Sequence, residues 1–192
     1  NVGTATAINF ANGVSDPGAA TLIAYRAETI SVDVTDGTID SFGDPSYDLD
    51  LTVNPGPASN LNFAQQPTDT VASSIITPAV TVEVRDQWNN VCISDSTTSV
   101  GIAINNNPGG GTLSGTSPQT ASSGVATFND SSIDMVGIGY TLDASSMGLA
   151  TVTSNAFNIT PGTASRIIIE DAADGTGTEV DTRTIAPGQS FT

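Results

Sequence analysis

The chain has no lysine and no histidine, and its only cations are Arg26, Arg85, Arg166 and Arg183, set against 20 acidic residues. The commonest general base, the commonest metal ligand and the Schiff-base nucleophile are therefore all missing. Lys–Asn isopeptide cross-links are excluded by the same absence. A formal net charge of −16 excludes phosphate-backbone binding as a main activity, because nothing could replace the counterions around a nucleic acid. It argues equally against anionic membrane surfaces, while leaving room for a divalent cation between carboxylates.

Cysteine occurs once, as Cys92, so no intrachain disulfide can form and the redox compartment stays unread. The residue is read as a small buried or half-buried apolar side chain, with an intermolecular disulfide or a metal ligand as the alternative. Aromatics make up 5% of the chain, too few for a stripe on which bases could stack. No stretch approaches the roughly 20 apolar residues that cross a bilayer as a helix, so no membrane insertion is expected. The chain opens on Asn-Val-Gly-Thr without a signal-peptide pattern; an exported protein would be represented by a mature or excised piece.

What is present is a repeat. Residues 49–63 and 155–169 share Pro-Gly-X-Ala-Ser, with Pro55, Gly56, Ala58 and Ser59 recurring 106 residues later as Pro161, Gly162, Ala164 and Ser165. Leu51 and Val53 answer to Phe157 and Ile159, and Leu61 and Phe63 to Ile167 and Ile169. A strand, a Pro-Gly joint and a new strand are used twice, the signature of tandem units about one hundred residues long. Pro fixes a backbone angle and Gly permits a sharp change of direction, so Pro55-Gly56 and Pro161-Gly162 are read as inter-domain joints.

Helical periodicity is nearly absent, and Thr, Ser, Val, Ile, Gly and Asn dominate. In Val80–Arg85 the valines alternate with Thr81, Glu83 and Arg85, the period of a half-buried strand. Further strands are expected at 60–64, 79–85, 99–105, 124–128, 139–144 and 151–160, with an edge piece at 112–114 and turns at 86–90, 106–111 and 114–123. Short strands with turns every 8–12 residues predict a sandwich. Strands at 5–10, 20–25, 29–34 and 47–53 would end a first unit, and one at 165–170 would open a third. Asp134, Gly137 and Tyr140 before the penultimate strand predict a tyrosine corner, or else a plain core tyrosine.

The sequence resembles bacterial Ig-like repeats of invasin/intimin and filamin-repeat type. The resemblance is carried by Phe63-Ala-Gln-Gln-Pro67-Thr, Pro78–Val91 with its Asp86-Gln-Trp-Asn-Asn90 turn, Gly124–Phe128, Tyr140–Ala144 and Ser154–Ile159. In such repeats the turn usually ends Gly-Asn; here Asn89 stands for the Gly, and Asn also tolerates the left-handed conformation. The fold implied is all-β: tandem immunoglobulin-like β-sandwiches, one complete unit (57–161) flanked by partial units (1–56 and 162–192). The role implied is an extracellular, cell-surface structural or spacer repeat whose partners are neighbouring Ig-like units of the same or adjacent copies. The 56 residues before the complete unit and the 31 after it together approach one small unit. Head-to-tail filament assembly by strand complementation is therefore a further expectation.

Candidate chemistry is thin. Asp171, Asp174 and Glu179 lie in a Gly-bounded acidic stretch that could wrap Ca2+ or simply form a solvated turn, and Asp33, Asp36, Asp40, Asp44 and Asp48 read the same way. Trp88, the lone tryptophan, could stack on a sugar or pack against an adjoining unit; the first makes an adhesin or carbohydrate-binding module the alternative function, with a carbohydrate or host surface as partner. Gly109–Gly111 is a loop rather than a phosphate cradle, since no Lys and no helix follow. Ser and Thr lack a base to activate them and no carboxylate pair is brought together, so no enzyme, catalytic residue or resident cofactor is expected. Asn129-Asp-Ser131 and Asn158-Ile-Thr160 are glycosylation sequons.

Overall fold

The computed structural model describes residues 10–11, 14–15, 23–32 and 49–163. Contacts divide the chain into Asn1–Thr160 and Pro161–Thr192, and every described strand belongs to the first unit. That unit is all-β among the described residues. In chain order the strands are β1 (Phe10–Ala11), β2 (Val14–Ser15), β3 (Thr29–Val32), β4 (Leu49–Thr52), β5 (Asn60–Gln65), β6 (Thr70–Val71), β7 (Val80–Arg85) and β8 (Ser99–Asn106). They continue with β9 (Leu113–Ser114), β10 (Gln119–Thr120), β11 (Val125–Phe128), β12 (Ser132–Ile133), β13 (Gly137–Ser145), β14 (Val152–Thr153) and β15 (Phe157–Thr160).

Two sheets build the body. One runs β10-β8-β13-β15-β6 with β14 also on β13, and the other runs β11-β7-β5. The alternation read from Val80–Arg85 holds: Val80, Val82 and Val84 are fully buried while Thr81, Glu83 and Arg85 face partly outward. From the second sheet they join Leu61, Phe63, Ala126 and Phe128; from the first come Val100, Ile102, Tyr140, Leu142, Ala144, Phe157 and Ile159. Both inner faces thus close on one apolar core, the layering of a β-sandwich, and its burial is the main stabilising term. Earlier in the chain, β3 and β4 pair antiparallel with Thr29 opposite Thr52 and Ile30 opposite Leu51, and β1 pairs with β2.

Several expectations need correction. The single strand expected at 151–160 is two, because Ser154 interrupts it. Its hydroxyl accepts from the Leu142 N–H at 2.9 Å and donates to the Asn155 carbonyl, so a side chain replaces the ladder where the strand bends. The expected 114–123 turn contains β10, which caps the edge of β8 through Gln119 and Thr120. Strand β6 carries too little apolar pattern to be seen in sequence, yet it pairs in parallel with β15. Ile23–Tyr25, the described end of the expected strand 20–25, is irregular. The expected strand 165–170 lies outside the described residues.

Candidate functional site

The densest polar arrangement is the turn after β7. Asp86 is a fully buried carboxylate at the strand end. Its Oδ1 accepts the N–H groups of Trp88 (2.8 Å) and Asn90 (2.9 Å), and its Oδ2 accepts the Gly56 N–H and the Asn90 side-chain amide, both at 2.9 Å. Four donors for one carboxylate explain how its charge survives burial. Burial alone would raise its pKa; the Asn90 side chain and the Gly56, Asn90 and Trp88 backbone donors outweigh that and hold it at about 2. Asn89 completes the turn in the left-handed region at φ 67°, as its side-chain type allows.

Asn90 carries the connection outward. Its amide donates to the Tyr25 carbonyl at 2.7 Å and accepts the Ala27 N–H at 2.9 Å, a two-point grip on backbone 65 and 63 residues upstream. The Asn60 amide bonds the Asp86 carbonyl, and the Cys92 thiol faces the Gly56 carbonyl at 3.6 Å. Of the residues read as joints, Gly56 is thus half-buried against this turn and Pro55 is half-buried, while Pro161 and Gly162 are exposed. Cys92 is buried as expected, and burial, followed by the charges of Asp86 and Asp95, pushes its thiol pKa up.

Trp88 lies on top of the turn. A side-chain carbon on Gly56 would come within 3.2 Å of its ring, so glycine permits this approach. Its other neighbour is Tyr25, with ring centroids 5.5 Å apart and planes at 47°. Both rings stay open to solvent, Trp88 at 45% and Tyr25 at 55% of full exposure. Tyr25 escapes sequence reasoning because no local pattern links two aromatics so far apart in the chain; the Asp86…Asn90 spacing is the signal that marks the turn.

A second cluster surrounds Tyr140. Its hydroxyl donates to the Met135 carbonyl at 2.8 Å, five residues upstream, as the tyrosine-corner reading requires. Gly109, Gly111 and Gly137 border it so closely that a Cβ at any of them would lie under 3.0 Å from a neighbouring atom. The Gly109–Gly111 loop is therefore a cradle for a tyrosine. Elsewhere, a shallow open groove is lined by Ile102, Ile104, Leu113 and the 111–115 loop, with no titratable side chain on its walls.

The metal candidates Asp171, Asp174 and Glu179, like Asp33, Asp36, Asp40, Asp44 and Asp48, lie outside the described residues. Among the described residues no group of three or more His, Cys, Asp or Glu side chains is placed to hold a metal ion. In the sequons Asn129 is exposed, whereas Asn158 bonds Asp69 and Gly139 across the sheet.

No family model and no curated protein matches the chain. Among solved structures, a β-glycosidase from Bacteroides vulgatus matches at 13% identity with a TM-score of 0.38, over 78% of this chain and 20% of that one. That likeness is too slight to carry an argument. The chain spans a fifth of that protein's length.

Proposed function

We propose that this chain is a structural spacer from an extracellular or cell-surface protein, a non-catalytic stretch of tandem Ig-like sandwiches that acts by holding neighbouring units in fixed succession. The observation that carries the proposal is the Asp86–Asn90 turn. One carboxylate bonds the Gly56 N–H, and one amide bonds the backbone at Tyr25 and Ala27. A segment needed only as a tether would not require such bonds on both sides of one turn. The internal repeat of the Pro-Gly joint and the Ig-like sequence resemblance support the same reading.

Removing the grip should loosen the succession without unfolding the sandwich. Asn90→Ala is expected to broaden the small-angle scattering distance distribution of the whole chain while leaving its β-sheet circular dichroism unchanged. An unchanged distribution would count against a spacer role for the turn. Assembly with adjacent copies, head to tail by strand complementation, belongs to the same proposal. Negative-stain electron microscopy tests it: filaments support assembly, and monodisperse particles at high concentration refute it.

A further inference from the structure

We infer that the Tyr25–Trp88 pair is a binding platform for a neutral carbohydrate, a role separate from spacing. Three observations point there. First, both rings are exposed although each is large and apolar, so folding alone leaves their surface unused. Second, both are held before any ligand arrives. The Trp88 backbone N–H is bonded to Asp86 and the Tyr25 backbone carbonyl to Asn90, while the Trp88 ring lies close to Gly56 and the two rings pack on each other. Pre-organised rings lose little freedom on binding, which favours contact with a small ligand.

Third, the indole N–H of Trp88 and the phenol of Tyr25 have no hydrogen-bond partner among the described residues, and in this pair apolar faces and polar edges stand side by side. A pyranose matches that pattern: its C–H face covers a ring and its rim hydroxyls meet the donors. The surroundings narrow the ligand class. Arg26, Glu28, Gln87 and Asn89, one to three residues from the pair in the chain, are exposed polar residues, which suits a small amphipathic ligand better than a broad apolar protein interface. Arg26 is engaged by Glu28 at 3.4 Å, and the chain's net charge of −16 disfavours uronic or sulfated sugars.

Trp88 is the only tryptophan, so its fluorescence reads the site directly. The whole chain is titrated with soluble β-1,4-linked oligosaccharides of glucose, mannose, xylose and N-acetylglucosamine. At least one should shift or quench the emission with a dissociation constant on the order of 1 mM or tighter. Tyr25→Ala, a change at an exposed side chain, should weaken binding about tenfold or more, and Tyr25→Phe by less. No emission change with any of the four sugars up to about 10 mM overturns the inference. So does a Tyr25→Ala chain that binds like the parent, or an emission shift driven by the protein's own concentration, which would give the surface to a second copy. Each of these results leaves the spacer reading standing.

Discussion

Asp86 ties the stability of its turn to pH. Its folded pKa of about 2 lies below the ordinary value of 3.8, so the folded state holds its proton less readily than the unfolded chain. The stability it contributes is complete above the unfolded pKa and is lost as pH falls through the folded one. Asp95 and Asp130 shift the same way. Burial opposes the shift at Asp95, but donors from Thr98 and Thr97 prevail; the Thr116 hydroxyl and N–H lower Asp130. The melting temperature is therefore expected to fall as pH drops from about 4 to about 2. In Asp86→Asn the fall should be shallower, from a starting point several degrees lower, because an amide turned toward four donors satisfies them poorly. A parallel pH profile in the variant would show that other groups set the acid limit.

At the level of elements, the hairpin-and-corner around β13 depends on close approach. Tyr140→Phe removes the buried bond to the Met135 carbonyl and should cost about 1–3 kcal/mol in chemical denaturation. Gly109→Ala should cost a similar about 1–3 kcal/mol by overpacking, since its Cβ would collide with the Val136 carbonyl and the Tyr140 hydroxyl. In the double variant the two effects should fall short of additive, because deleting the hydroxyl vacates part of the space that the added methyl needs. The corner is legible from Asp134, Gly137 and Tyr140, and the core strands from strict alternation at Val80–Arg85. The short strands are not: Thr70–Val71 and Gln119–Thr120 have no period of their own and exist because a neighbouring edge offers bonds. Nor is the partner of the Asp86–Asn90 turn legible. Asp86 and Asn90 mark a turn, but which backbone the turn grips is decided by tertiary placement of Tyr25. The sandwich layering is thus readable in residue pattern, whereas the candidate site depends on contacts between distant stretches of chain, which no local period encodes.

For the molecule as a whole, the pairing of the two ends of the sandwich has a consequence under tension. Strand β6, near the entry of the sandwich, runs parallel to β15, its last strand, with Thr70 opposite Ile159 and Val71 opposite Thr160. Around them, Ala72 N–H bonds the Thr160 carbonyl, the Asp69 carboxylate takes both the backbone N–H and the side-chain amide of Asn158, and Gln66 takes the Asn155 N–H. A force drawing the entry and exit apart pulls these two strands along their length in opposite directions. The bonds are then strained together in shear, and none can be peeled away ahead of the rest. Asp69→Ala, which deletes two of them, should lower the single-molecule unfolding force while costing about 1 kcal/mol at rest. The expected result is a sandwich that resists stretching between these two strands, as a latch holds along the direction in which it is drawn.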